Sequence, residues 1–363
     1  MRPTLRARRA RLDPAVHGAR EVVGMYGDPD TTWGICVEAG LTAPLDVDAV
    51  VDGVTALCRR YPHLGAAPLV MQPADGEWTR ARQSVAAAPY GPESPLLRVA
   101  VSHDRSGLLV GAHHGVIDGL GLLAVVSAAT GRELHTLARG IGDRRAPHSF
   151  VASSVRRLGE ALTHPPARFG GTGEATSHGE DLSAVTRPRI NRGTANLALA
   201  VLQAQTMDPE IRSSRHSLLA IGASRRVEAV PEPDRQTAYL RLRMRPGLQL
   251  ADVASQLADL SPEPDFPETS AGGAAPLAIR LLRNRLGATA TLSNLGQVDC
   301  EGIVSLAMYP ASSGVRSVAV GLASTASTTT LSLRTRRRDF TQSEHEALAG
   351  VLAERFFGPS TAQ

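Results

Sequence analysis

Two imidazoles and a carboxylate stand close together in Gly111-Ala112-His113-His114-Gly115-Val116-Ile117-Asp118-Gly119. A neutral imidazole near its ordinary pKa is suited to take a proton from a hydroxyl or amine as that group attacks a carbonyl. The apolar run Leu108-Leu109-Val110 before the pair reads as a buried strand. Leu120-Gly121-Leu122-Leu123-Ala124-Val125-Val126 after it reads as a helix lining a core. Side chains alternate across a strand, so His113 and His114 face opposite ways, one into a cavity and one into structure. Asp118 opens the helix, where a carboxylate suits the exposed N–H groups and the dipole. Gly115 and Gly119 allow close backbone approach. Diverging histidines make poor joint ligands with Asp118, so no metal site is expected.

His113-His114-x-x-x-Asp118-Gly119 resembles the HHxxxDG motif of the condensation-domain-like acyltransferases, a superfamily related to chloramphenicol acetyltransferase. Downstream, Ser293-Asn294-Leu295-Gly296-Gln297-Val298-Asp299 resembles that superfamily's S-N-L-G-x-V-D segment. Between and before them, Cys58–Leu64, Leu97–Val101 and the Thr194–Leu202 helix also resemble family segments. The resemblance implies a direct transfer with His114 as general base and no acyl-enzyme. The absence of a Gly-x-Ser-x-Gly elbow agrees with this. It implies a structural His113, and an Asp118 that turns away from substrate to pair with an Arg at a strand end. Arg225 is the first candidate for that partner and Arg226 the next. The N–H of Gly119 is expected near the reacting carbonyl or a pantetheine arm. Ser293 and Asn294 are candidates to hydrogen-bond the intermediate or acceptor, or simply to end a strand in a turn. The implied donor is acyl-CoA or acyl-phosphopantetheine, with no permanently bound cofactor. The implied partners are an acyl or peptidyl carrier protein and a small-molecule acceptor. Ester formation in specialised metabolism is the first expectation. The alternatives are amide formation in a nonribosomal peptide pathway and a non-catalytic carrier-protein-binding module of the same fold. Such modules usually lose the histidine that this chain keeps.

The 363-residue chain is 42% hydrophobic and 20% charged, an ordinary soluble composition. All 39 basic residues in the Lys+Arg count are Arg, which removes Schiff-base, pyridoxal-anchoring and Walker-A lysine chemistry. The net charge of +4 reads first as a solvated Arg-rich surface, and 4% aromatic content argues against stacking on single-stranded nucleic acid. Cys36, Cys58 and Cys300 form neither a disulfide framework nor a zinc pattern, which suits a reducing cytoplasm. No apolar run reaches the roughly 18 residues of a membrane span, and the basic N-terminus lacks a secretory apolar core. A monomer is expected.

Further elements must position these residues. Thr32–Glu38 reads as a strand. Asp46 caps a helix with Val47, Val50, Val51, Val54, Leu57, Cys58 and Tyr61 at helical spacing. Strands are expected near Pro68–Gln72, Trp78–Gln83 and Leu96–Ser102, the last joined in a hairpin to Leu108–His114 through Asp104-Arg105-Ser106-Gly107. Thr163–Arg192, rich in Pro and Gly, reads as an exposed linker. Helices at Leu250–Leu260 and Pro276–Leu286 are expected. So are strands at Ser217–Ala223, Thr237–Met244 and three segments after Asp299, and a last helix opened by the capping box Thr341-Gln342-Ser343-Glu344. The expected fold class is α/β (α+β): two chloramphenicol acetyltransferase-like halves with mixed sheets and flanking helices, forming a V-shaped pseudo-dimer. Residues 1–165 are the N-terminal half with HHxxxDG, 166–192 the linker, and 193–363 the C-terminal half with SNLG.

Overall fold

The computed structural model describes residues 32–90, 94–138, 140–206, 216–226, 228–264 and 285–359. The N-terminal elements are β1 (Gly34–Leu41), α1 (Val47–Arg60), β2 (Val70–Met71), α2 (Trp78–Ala87), β3 (Leu97–Val101), β4 (Gly107–His113) and α3 (Gly119–Thr130). A short β5 (His135–Thr136) and α4 (Phe150–Thr163) follow. Next come β6 (Glu180–Pro188), α5 (Thr194–Thr206), β7 (Ser217–Ser224), β8 (Thr237–Met244) and α6 (Leu250–Asp259). The chain ends in β9 (Ala290–Asp299), β10 (Ile303–Tyr309), β11 (Val318–Ser324), β12 (Thr328–Arg336) and α7 (Gln342–Phe357). Of the helix expected from Pro276, residues 276–284 lie outside the described residues.

Two mixed sheets carry these elements. The first runs β10-β1-β4-β3-β2 and the second β6-β12-β11-β9-β7-β8, with β5 paired to β9. One face of the first sheet buries Ile35, Val37 and Ala39 of β1 against Val50, Val54 and Cys58 of α1 and Leu122, Val125 and Val126 of α3. The second sheet buries Leu219, Ile221, Leu240, Leu292 and Val320 against α5, α6 and α7. The halves exchange strands across their boundary. β10, which follows β9 in sequence, pairs with β1 in the first sheet, while β5 of the N-terminal part pairs with β9 in the second.

Local chemistry sets several boundaries. Asp46 accepts from the Asp48 N–H at 3.1 Å to start α1, and Thr341 and Glu344 form the capping box that starts α7. Trp78–Gln83, expected as a strand, is helical. Trp78 and Arg82, one turn apart on α2, both bind Glu38 of β1, the indole at 2.7 Å and the guanidinium at 2.7 and 2.9 Å. Ala81 and Val85 bury the adjoining stripe. The expected linker also contains regular structure. Within it, β6 pairs antiparallel with β12 from Glu180↔Arg336 to Pro188↔Thr328. Just before it, α4 starts at Ser149, whose hydroxyl accepts from the Ala152 N–H. Its apolar Val151, Val155 and Leu162 face solvent at 57–70% exposure while Glu160 points inward. That inverted pattern hid the helix in the sequence.

One buried cation ties the halves beside the strand end that carries the histidines. Arg334 of β12 is 0% exposed and binds Glu180 of β6. Its guanidinium also donates to the carbonyls of Gly34 at 2.6 Å, Ala86 at 3.0 Å and Pro310 at 3.2 Å. Gly34 is the register partner of His113. Removing Arg334 leaves Glu180 buried without its partner, so Arg334→Met is expected to cost about 3–5 kcal/mol in urea unfolding. Arg334→Met combined with Glu180→Leu should recover part of that loss, because no uncompensated charge then remains buried. Equal loss in single and double variants would rule out this account.

Candidate active site

β4 ends at His113, and residues 114–117 turn before α3 begins. The His114 N–H donates to the Trp33 carbonyl at 2.8 Å, so the turn hangs from the start of β1. The two histidines diverge as strand alternation requires. His113 is 4% exposed, packs edge-on to Tyr90 with ring centroids 5.0 Å apart, and accepts from the Gly115 N–H at 3.1 Å. It sits in structure.

His114 is half-buried and faces the other half of the molecule. Its Nδ1 lies 3.0 Å from the Ile117 carbonyl oxygen. A carbonyl only accepts, so Nδ1 carries the ring hydrogen and Nε2 holds the lone pair. Nε2 lies 3.1 Å from the hydroxyl of Tyr239 on β8, so the phenol donates to it. Burial holds the imidazole below its ordinary value of 6.5, against the Ile117 carbonyl and the Asp118 charge, and the Arg235 cation adds to the lowering. His114 is therefore neutral at pH 7, with a basic nitrogen aimed between the halves.

Asp118 turns away from the imidazole. At 3% exposure, its Oδ1 accepts from the Gly121 N–H at 2.8 Å as the N-cap of α3, and its Oδ2 accepts from the Gln236 N–H at 2.8 Å. The cation beside it is Arg226, whose Nη2 lies 3.4 Å from Oδ1. Arg226 also donates to the carbonyls of Glu232 at 2.6 Å and Asp234 at 2.8 Å and binds the Asp234 carboxylate. Arg225, the first sequence candidate, instead directs its guanidinium to the Arg144 carbonyl at 3.0 Å. The correction has a local cause. The Ser224 hydroxyl accepts from the Arg226 N–H at 3.0 Å, turning the chain past the end of β7 so that the second arginine meets Asp118.

Gly119 begins α3 where a Cβ would stand 3.1 Å from both Leu295 of β9 and Met308 of β10. The helix start thus packs directly on strands of both sheets. Asn294 is committed to structure: its amide donates to the Thr194 hydroxyl at 3.1 Å, and its oxygen accepts from the Gly296 N–H at 2.8 Å. Gly296 has φ +71°, beside the irregularity where β9 and β11 change register. Ser293 lies on the opposite face of β9 from the core residue Leu292, in one cross-strand row with Gly222 of β7 and Tyr239 of β8. A Cβ on Gly222 would meet nothing nearer than the Leu292 carbonyl at 3.7 Å. The row therefore holds an open slot between Ser293 and Tyr239, on the face that meets His114.

The structure thus brings His114, Tyr239 and the Ser293 row together and sets His113, Asp118, Arg226 and Asn294 behind them. Tyr239 was not singled out in the sequence. Its signal is a tyrosine among Thr237, Arg241 and Arg243 on the polar alternation of β8, opposite the buried Ala238, Leu240, Leu242 and Met244. Further along that face, Arg241 and Arg243 bind Glu160 of α4 at 2.9 and 2.6 Å, so α4 closes it beyond Tyr239. A separate polar cleft of about 510 Å³ lies near the β3–β4 turn, at the other end of β4, and does not include His114. Among the described residues, no group of three or more His, Cys, Asp or Glu is placed to hold a metal, and no helix is long and apolar enough to cross a membrane.

No family model matches the sequence, and no curated protein matches it. Solved structures do match its fold. The first condensation domain of the calcium-dependent antibiotic synthetase, in complex with a substrate analogue, aligns with TM-score 0.60 at 16% identity, over 98% of this chain and 99% of that one. The starter condensation domain of rhizomide synthetase, as a mutant in complex with C8-CoA and Leu-SNAC, aligns with TM-score 0.56 at 12% identity, over 95% and 93%. An epimerization domain of tyrocidine synthetase B aligns with TM-score 0.50 at 13% identity, over 90% and 91%. With two mixed sheets, and aligned along nearly its whole length, this chain has the fold of these condensation domains.

Proposed function

We propose that this protein transfers an acyl group from a thioester donor, carried on CoA or on carrier-protein phosphopantetheine, to an alcohol or amine. The observation that carries this reading is the locked tautomer of His114, whose basic Nε2 faces a slot between the halves. The acceptor O–H or N–H attacks the thioester carbonyl carbon while Nε2 takes its proton. The tetrahedral oxyanion collapses, the C–S bond breaks, and the imidazolium returns the proton to the leaving thiolate. No residue is acylated. Asp118 and Arg226 hold the turn that aims the imidazole, and the Ser293 end of the open row admits the acceptor. The rhizomide synthetase domain is in complex with C8-CoA and Leu-SNAC together. That pairing supports amide formation as a second reading for this chain.

The test is thiol release from a panel of acyl-CoA and acyl-pantetheine thioesters, with and without simple alcohols and amines. Acceptor-dependent release is the expected result. Release independent of acceptor would replace transfer with hydrolysis, and binding of an acyl carrier protein without turnover would indicate a non-catalytic module.

The pH dependence follows from the same imidazole. The active form is neutral, and burial lowers its pKa below 6.5. The acid limb of kcat/KM is therefore expected below pH 6.5, with a plateau at pH 7. A limb centred above 6.5 would mean that His114 is not the base that limits the rate.

A further inference from the structure

We propose that the Tyr239 hydroxyl guards the base, occupying Nε2 of His114 until an acceptor displaces it and so keeping water from being activated against the thioester. The inference rests on the acyl-transfer reading above.

Three features of the geometry carry it. First, the phenol meets the atom that must accept the proton. Nδ1 is committed to the Ile117 carbonyl, so the only lone pair of the ring is on Nε2, and Tyr239 lies 3.1 Å from it. Second, guard and base come from different halves. His114 follows β4 of the first sheet, and Tyr239 lies on β8 of the second. The contact therefore joins the two halves at the nitrogen that the proposed transfer uses. Third, beside the Ser293 end of the row that the acceptor takes, the ring has somewhere to go. Its register partner is Gly222, above which a Cβ would have no neighbour closer than 3.7 Å. Any side chain at that position would fill the space.

The chemistry gives the guard a use. A thioester held beside a free base is open to hydrolysis. Water would lose a proton to Nε2, its oxygen would bond to the acyl carbon, and the C–S bond would break to give a carboxylic acid and a thiol. Acyl transfer needs the same base but a different nucleophile. A hydroxyl already donating to Nε2 competes with water for that lone pair. An acceptor held at the Ser293 end of the row can displace the phenol toward Gly222 and donate to Nε2 in its place. Tyr239 in this role is a positioning residue that acts through His114.

Tyr239→Phe removes the hydroxyl and keeps the ring. Two measurements decide the proposal. The first needs no turnover. Diethylpyrocarbonate labels the unprotonated nitrogen of imidazole, and peptide mass spectrometry reads each histidine separately. His114 labelling at pH 7 should rise roughly fivefold in Tyr239→Phe, the order that one lost net hydrogen bond gives. Labelling of His103, exposed at the far end of the β3–β4 hairpin, should not change. An unchanged His114 rate overturns the proposal, and equal rises at His114 and His103 would show general loosening and overturn it too. The second measurement is the ratio of acceptor-independent to acceptor-dependent thiol release, expected to rise roughly fivefold for the same reason. A merely structural tyrosine would lower both rates together and leave the ratio unchanged, which overturns the guard. If neither protein releases thiol from any donor, the acyl-transfer reading fails, and the labelling result still decides whether Tyr239 covers Nε2.

Discussion

His114→Ala lowers acceptor-dependent thiol release by about 10²–10⁴-fold, the range that one positioned general base supplies. The fold survives, because the side chain is half-buried and, among the described residues, hydrogen-bonds the Ile117 carbonyl and the Tyr239 hydroxyl alone. Two modest hydrogen bonds are lost, each worth about 1 kcal/mol. The neighbouring histidine gives the opposite result. His113 is buried edge-on to Tyr90 and accepts from the Gly115 N–H at the turn. His113→Ala opens a cavity in structure, so it should lower the melting temperature more than His114→Ala does. The paired comparison separates catalysis from support within two adjacent residues. Initial rates at saturating donor and thermal melts of both variants make the check. A His114→Ala protein that keeps wild-type rates would remove the general-base mechanism altogether.

The parts of this molecule that local chemistry dictates could be read from the sequence. The α1 cap at Asp46, the Thr341 box of α7, the β3–β4 hairpin and the strand–turn–helix around His114 each follow from a few neighbouring residues. The divergence of His113 and His114 followed from strand alternation alone. What could not be read depends on partners far away in the chain. Trp78–Gln83 passes for a strand until Glu38 is seen to bind Trp78 and Arg82 together, which only helical spacing allows. β6 sits in a Pro- and Gly-rich stretch and becomes a strand because β12, about 140 residues onward, offers it an edge. α4 turns its charge inward to Arg241 and Arg243, the reverse of the usual pattern. The site divides in the same way. The loop that holds the base is continuous in sequence, whereas Tyr239 reaches it across 125 residues. The choice between Arg225 and Arg226 hung on one turn closed by Ser224.

Asp118→Ala should be the most damaging single change around the site, costing about 3–5 kcal/mol because it strands a buried cation. The Arg226 side chain is 4% exposed, and its Nη2 lies 3.4 Å from the Asp118 carboxylate. Without Asp118 it keeps only the loop carbonyls and Asp234, whose side chain is 35% exposed and so partly solvent-screened. Two further losses accompany the charge. α3 loses the oxygen that caps it through the Gly121 N–H, and caps of this kind are worth about 0.5–2 kcal/mol. The Gln236 N–H loses its acceptor, so the loop at 232–236 in the second half loosens from the first. Since that loop leads directly into β8 and Tyr239, both His114 and Tyr239 shift, and activity should fall along with stability. Arg226→Ala should cost a similar amount by stranding the carboxylate. Arg225→Ala, whose guanidinium donates to the exposed Arg144 carbonyl and does not reach Asp118, should stay within about 0.5 kcal/mol of wild type. The double variant Asp118→Ala/Arg226→Ala should cost clearly less than the sum of the singles, because neither charge is then left alone. Urea unfolding of the four proteins measures all of this. Additive losses, or an Arg225→Ala loss as large as that of Arg226→Ala, would mean that the pair is not what holds the His114 turn in place.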